Sequence, residues 1–182
     1  YVGKPIICTN PCAEVPLEDG GACNLGSLNL SRFVNNGFGV KASINWDQLA
    51  DSTRTLVRFL DNVVTWNEDL NALEKQKKAA HETRRLGLGI MGIADMLNQL
   101  GVGYDSNEGL EIITNMMEFI TNAAYQASAS LAGEKGASPI YSEDEYMECP
   151  FLKVALSQET QTFIRENGIR NIAIMSIAPT GS

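Results

Sequence analysis

The stretch Asn10-Pro11-Cys12-Ala13-Glu14 places an amide, a thiol and a carboxylate at alternate positions. Side chains alternate between faces in extended backbone, so these three are expected to project to one side and converge on one small volume. Such a set suits a sugar with vicinal hydroxyls. The amide hydrogen-bonds one hydroxyl, the carboxylate takes a proton from another, and the sulfur attacks a neighbouring atom. A plainer reading makes Cys12 a buried thiol and Glu14 a surface charge in a turn, and spacing alone favours it. Cys23 lies eleven residues after Cys12, with Gly20-Gly21 between. A hairpin-like return across the Glu18-Asp19-Gly20-Gly21 turn would bring it beside the first strand, either to supply electrons or as a second structural cysteine. Taken alone, Cys23 is read as structural.

Other chemistries find less support. The cysteines at 8, 12, 23 and 149 lack the paired C-x-x-C of zinc sites, and the single histidine, His81, is distant in sequence. The chain is too large and too apolar to need a disulfide scaffold. Cys8 and Cys149 are read as structural, and His81 as a surface or helix-end residue. Gly87-Leu88-Gly89-Ile90-Met91-Gly92 matches G-x-G-x-x-G literally. A dinucleotide site needs an apolar strand just before that motif, and Lys77–Arg85 is not one, so close helix packing is the expected use of these glycines. A hydrolase or transferase with nucleophilic Cys12 is one alternative, weakened by the want of a convincing general base. A non-catalytic interaction domain of the same fold is another.

The 182 residues suffice for one domain with a real core. Hydrophobic residues make up 44% and charged residues 20%, and the formal charge is -8. An acidic chain without a basic cluster argues against binding a nucleic-acid polymer. A single nucleotide is still accommodated, because amides at a helix N-terminus hold phosphate without many lysines. No run is long and apolar enough for a membrane span and no signal peptide is visible, so a cytoplasmic location is expected. The chain opens Tyr1-Val2-Gly3 and closes Pro179-Thr180-Gly181-Ser182. Both ends are expected to continue into a longer parent.

The elements that must position these residues follow from pattern. Residues 4–9 read as a short strand, and 22–33 as extended. Asn45 caps a helix in which Leu49, Leu56, Val57, Leu60, Val63 and Val64 recur at helical spacing to about residue 67. Residues 74–85 are a solvated helix or loop, and the latter half of 86–100 is helical. Asp105-Ser106-Asn107-Glu108 resembles a capping box opening a helix to about Ala132. Residues 133–150 read mostly as loop, 157–166 as a helix closed by Asn167-Gly168, and 171–177 as a buried strand. Strands alternating with long helices predict an α/β layer or barrel.

Asn10-Pro11-Cys12-Ala13-Glu14-Val15-Pro16-Leu17 followed by Ala22-Cys23-Asn24-Leu25-Gly26-Ser27-Leu28-Asn29-Leu30 resembles the core signature of ribonucleotide reductase large subunits. Arg84-Arg85-Leu86-Gly87-Leu88-Gly89-Ile90-Met91-Gly92 and Ala178-Pro179-Thr180-Gly181-Ser182 resemble two further segments, in order along the chain. The resemblance implies part of a ten-stranded α/β barrel, roughly half, with residues 1–182 a single catalytic fragment. It implies a finger loop at 10–14 and a phosphate loop starting at 179. By resemblance Cys12 becomes a thiyl radical that takes the 3′-hydrogen of the ribose, Glu14 takes the 3′-hydroxyl proton, and Asn10 holds the substrate hydroxyls. Cys23 is one of two cysteines that reduce the 2′-position and become a disulfide. Pro179, Thr180, Gly181 and Ser182 open the loop for the substrate phosphates, where a strand leading into a helix aims free amides at an anion.

The substrate implied is a ribonucleoside di- or triphosphate, with a thioredoxin-like dithiol as reductant and the rest of the parent chain completing the site. The Asn-Pro-Cys start and Ala-Pro-Thr-Gly end are most similar to the adenosylcobalamin-dependent class, although no residue here is recognisable as binding that cofactor. The isolated fragment is expected to lack turnover. Ala13 departs from the pattern, which has glycine there most often.

Overall fold

Asn45 caps helix α1 (Trp46–Asn67), its side chain accepting from Gln48 N, and Leu49, Val57 and Leu60 form the buried stripe the spacing predicts. This is a computed structural model, and it describes residues 4–179. Before α1 run β1 (Cys8–Thr9), β2 (Pro16–Leu17), β3 (Asn24–Asn29), a 3₁₀ turn over Leu30–Phe33, β4 (Val34–Asn35) and β5 (Ser43–Ile44). After it come α2 (Glu74–Thr83), β6 (Leu86–Met91), α3 (Ile93–Leu100), α4 (Asn107–Lys135), α5 (Glu143–Met147), α6 (Pro150–Ala155) and α7 (Gln158–Asn167).

Strand β6 is central. It pairs in parallel with β3, Asn24 opposite Leu86 through Asn29 opposite Met91. Its other edge meets the 173–176 segment: Leu86 N donates to Ala173 O (2.9 Å), Leu88 N to Ile174 O (2.8 Å), and Ser176 N returns to Leu88 O (2.9 Å). Met175 forms a parallel bridge with Leu88, so the strand expected over 171–177 is realised only as this short pairing. Helix α1 packs on β3 and β6, α4 on α1, and α7 on α4. Leu28, Leu88, Ile90, Leu60, Ile120, Ile164 and Ile174 belong to the shared core. Parallel strands backed by helices give a partial α/β barrel, and no closed barrel forms among the described residues.

Several expectations change. The G-x-G-x-x-G stretch is strand β6 itself, not a site of close helix packing. Gly87 and Gly89 alternate with the buried Leu86, Leu88 and Ile90 and share the opposite face. A Cβ on Gly89 would lie 2.4 Å from Ser176 O, so only glycine lets the 173–176 segment approach. Residues 133–150 are not mostly loop: α4 runs on to Lys135, and α5 is a single turn anchored by buried Tyr146 and Met147, too short to show a period. Helix α4 is capped by Ser106, which accepts from Gly109 N, one residue later than the expected box.

A buried clasp locks these layers. Arg84 adopts a left-handed conformation (φ 46°) at the end of α2, and its guanidinium donates to Asp61 Oδ1 from Nε (3.0 Å) and Nη2 (2.8 Å), and to Thr65 Oγ1 (2.7 Å). Asn171 Nδ2 adds bonds to Asp61 Oδ1 (3.0 Å) and Arg84 O (2.9 Å), while Asn171 Oδ1 accepts from Ser128 Oγ (2.8 Å). Burial alone would raise the Asp61 carboxyl. The charge of Arg84 and the bonds from Arg84 and Asn171 outweigh it and hold Asp61 below the usual carboxylate range. No helix among the described residues is long and apolar enough to cross a membrane.

Candidate active site

Strands β1 and β2 form an antiparallel hairpin, Cys8 opposite Leu17 and Thr9 opposite Pro16, and residues 10–15 are its loop. Asn10 O accepts from Ala13 N (3.0 Å), closing a β-turn with Pro11 at its second position, where the fixed φ of proline fits. Asn10 Oδ1 accepts from Val15 N (3.0 Å), and Asn10 N donates to Val15 O (3.2 Å). The side-chain carbonyl of Asn10 therefore ties the loop together, and its Nδ2 makes no hydrogen bond among the described residues.

The backbone from 10 to 14 is a turn rather than extended, so strict alternation does not apply. Cys12 sits exposed at the tip in this chain, where the plainer reading places a buried thiol. Ala13 follows at φ 64°, in the left-handed region that glycine occupies freely and alanine does not. The glycine expected at this position thus has a conformational reason.

Glu14 is the reverse of a surface charge. Both its carboxylate oxygens are buried and neither has a hydrogen-bond partner among the described residues. Its backbone carbonyl accepts from Ser176 Oγ (3.3 Å), which sets the loop against the 173–176 segment. A buried carboxylate without a donor is costly unless something supplies one.

Cys23 does not return to the first strand. The Glu18–Gly21 turn forms, Gly21 N donating to Glu18 O (2.8 Å), but it feeds β3, which pairs with β6 instead. Asn24 Nδ2 donates to Leu60 O (2.8 Å), so Asn24 faces α1. Cys23, Leu25 and Ser27 therefore share the other face, with Gly87 and Gly89. A Cβ on Gly87 would come 3.0 Å from Cys23 Sγ, so this glycine leaves the sulfur its room. Burial pushes the Cys23 thiol up to about 11, with Arg85 opposing and Glu14 adding to the rise. The Glu14 carboxylate is thus near enough for its charge to act on Cys23.

Two residues without a role in the sequence reading stand here. Arg85 Nη2 pairs with Glu18 Oε2 (2.9 Å), and the Glu18 side chain is 4% exposed. Neither is visible in a single sequence: Arg85 is placed by the parallel register of β3 and β6, and Glu18 by the turn that leads into β3. Arg85 and Glu18 also line a cavity of about 340 Å³ with Tyr125, Tyr146, Cys149 and Phe151. Cys149 is half-buried there, whereas Cys8 is exposed and its sulfur lies 3.7 Å from Leu17 O. His81 lies exposed in the last turn of α2, with Nδ1 3.2 Å from Glu68 Oε1. Pro179 is exposed, and Thr180, Gly181 and Ser182 lie outside the described residues. No cluster of His, Cys, Asp and Glu among the described residues is arranged to hold a metal.

A family model described as ribonucleotide reductase, barrel domain, matches residues 2–182. A vitamin B12-dependent ribonucleoside-diphosphate reductase of Mycobacterium tuberculosis is 37% identical over 177 residues, covering 97% of this chain and 22% of that protein. One of Thermoplasma acidophilum is 39% identical over 176 residues, covering 96% of this chain and 20% of that protein. A ribonucleoside-diphosphate reductase subunit alpha of Helicobacter pylori is 34% identical over 202 residues, covering 99% and 23%. The chain spans about a fifth of the length of these relatives.

Proposed function

This chain belongs to the ribonucleotide reductase barrel-domain family, and on that footing we propose that it carries the catalytic finger loop of an enzyme reducing ribonucleotides to 2′-deoxyribonucleotides. The observation that carries the reading is Glu14, a carboxylate buried without a donor beside an exposed thiol. A substrate hydroxyl is the donor that would satisfy it.

Cys12, as a thiyl radical, takes the 3′-hydrogen of the ribose while Glu14 accepts the 3′-hydroxyl proton. The 2′-hydroxyl then leaves as water with a proton from one of two reducing thiols, and the other thiol delivers a hydrogen to the 2′-carbon. Glu14 returns its proton as the 3′-hydroxyl is restored. Cys23 and a second thiol from elsewhere in the parent supply two electrons and become a disulfide, and Cys12 returns its hydrogen to the 3′-position. Asn10, with Oδ1 committed to Val15 N, has Nδ2 left to hold a hydroxyl. Pro179, Thr180, Gly181 and Ser182 begin the loop for the substrate phosphates.

Adenosylcobalamin is the radical source favoured by the names of the Mycobacterium and Thermoplasma relatives. When bound, that cofactor supplies the radical that removes the hydrogen from the Cys12 thiol. What this chain would offer it is the Cys12 sulfur, exposed at the hairpin tip. The remaining partners on this reading are a ribonucleoside diphosphate or triphosphate and a thioredoxin-like dithiol, in the cytoplasm.

Conversion of labelled ribonucleotide by the full-length protein, with adenosylcobalamin and a dithiol supplied, tests the proposal. Cys12→Ser is expected to abolish conversion, because an oxygen radical is a poor substitute for a thiyl. Full activity in that variant would overturn it.

A further inference from the structure

The register of the parallel ladder sets a cation against the proposed reducing sulfur. Asn24 is opposite Leu86, so the preceding pair, Cys23 and Arg85, are neighbours one strand apart. Both stand just before the first ladder pair, at the ends of the two strands. Both line one cavity of about 350 Å³ between the N-terminal ends of β3 and β6 and the helices α1 and α2. Helix α1 offers Val63, Val64, Trp66 and Asn67 to that cavity, and α2 offers Ala80. None of these ionises. The charged groups acting there are Arg85, the Glu18 that holds it, and Glu14 from the finger loop. Arg85 is itself fixed from one side only: Nη2 bonds Glu18 Oε2, while the buried Nε has no partner among the described residues.

We propose that Arg85, anchored by Glu18, is a positioning residue for Cys23, holding positive charge beside the sulfur so that it exchanges as a thiolate. The inference rests on the reading of Cys23 as a reducing thiol. After turnover Cys23 is in a disulfide, and regeneration consumes a dithiol. One dithiol thiolate bonds to the partner sulfur, the Cys23 S–S bond breaks, and Cys23 departs with the bond pair as a thiolate. The second dithiol sulfur then displaces the partner cysteine and closes its own disulfide. Two electrons pass to the cysteine pair, and the dithiol's two protons end on the two freed thiols. With Arg85 beside it Cys23 leaves more readily than burial alone would allow, because the cation offsets part of the cost of its thiolate.

Burial works against that thiolate, holding the thiol up at about 11, and Arg85 is the group that opposes the rise. The same pair explains why Glu18 is buried in a β-turn: it is there to hold the guanidinium, not to face solvent.

The test is the pH profile of Cys23 alkylation by iodoacetamide in the full-length protein, read on the Cys23 peptide by mass spectrometry. Arg85→Met is expected to move the profile to higher pH and lower the rate at neutral pH about tenfold, the change one unit of displacement produces. Arg85→Lys is expected to restore most of it. Arg85→Met leaves Glu18 buried and alone, so the Glu18→Met/Arg85→Met double variant, which removes both charges, is measured beside it. A displaced profile in the double variant supports the proposal even where the single variant folds poorly. Each profile is followed through its midpoint, at about 11 in the parent. Profiles that superimpose on the parent's, or whose plateau falls while the midpoint stays, overturn it, since either shows that Arg85 does not govern ionisation. Alkylation needs no turnover, so this result stands apart from whether the parent reduces nucleotides.

Discussion

Replacing Asp61 by asparagine removes one charge while keeping the side chain's shape. Asp61 is fully buried and accepts three bonds of 2.8–3.0 Å, two from Arg84 and one from Asn171, with Lys135 Nζ and Arg170 Nε a further 3.4 Å from Oδ2. Asparagine can still accept at Oδ1. Its new amide would point donors at Lys135 and Arg170, and Arg84, 2% exposed, would keep a buried charge without a counter-ion. Breaking a buried pair from one side costs about 3–5 kcal/mol. The readout is native-state hydrogen exchange in the full-length protein, over the amides of α1 near residue 61 and of α4 near residue 128. Where these segments open together, exchange should accelerate roughly a hundredfold to a few thousandfold.

Asp61→Leu with Arg84→Met should recover most of that loss, because the fully buried Arg84 charge goes with its counter-ion. Lys135 and Arg170 keep other partners, in Asn62 Oδ1 and the Lys135 and Gly136 carbonyls. The pH dependence follows from the same geometry. The folded carboxyl lies below its ordinary value of 3.8, so its stabilisation is fully present above that value and is lost as pH falls through the lower folded one. The clasp should therefore hold through neutral and mildly acidic solution and open only in strong acid. Acceleration below about fivefold, roughly 1 kcal/mol, would show that the charge is not what holds the layers.

Glu14→Gln in the full-length protein should slow ribonucleotide reduction by about 10²–10⁴-fold with little change in substrate affinity, and an unchanged rate would remove Glu14 from the base role. Ala13→Val forces a β-branched residue into the left-handed region; reduction should fall while the melting temperature barely moves, and Ala13→Gly should stay active and stabilise the loop by up to about 1 kcal/mol. Gly89→Ala should destabilise by about 1–3 kcal/mol or more, measured by denaturant unfolding, because its Cβ meets Ser176 O at 2.4 Å. A neutral Gly89→Ala would mean the 173–176 segment is free to shift.

Helices were legible where their period ran for several turns. The α1 cap, its stripe, and the closing of α7 at Gly168 all followed from local residue types. Strand β6 was not, because Leu-Gly-Leu-Gly-Ile lacks the polar alternation of a half-buried strand and mimics a phosphate loop instead. Its identity depends on two partners distant in sequence, and periodicity carries no such information. In the finger loop the residue types were informative and their geometry was not. Asn10 spends its carbonyl on Val15 N, a bond closed within the loop, and Glu14 is buried rather than facing water, in a loop whose backbone is tied to Ser176. The Arg84-Arg85 pair shows the same limit. Identical neighbours are sent to different tasks, one into the clasp with Asp61 and one to Glu18 and Cys23, solely by which way each points from the chain.

The central place of β6 has a cost during synthesis. Its first neighbour, β3, is already made when it emerges, but Met175, which covers the other edge, lies 87 residues beyond Leu88. At roughly 5–20 residues per second a ribosome needs on the order of 4–17 s to deliver that neighbour. Through that interval an apolar strand has one row of unpaired amides and carbonyls open to any passing chain. Gly87 and Gly89 then matter before the fold exists. They lower the strand's tendency to pair with strangers, at the cost of leaving it dependent on one late and distant partner.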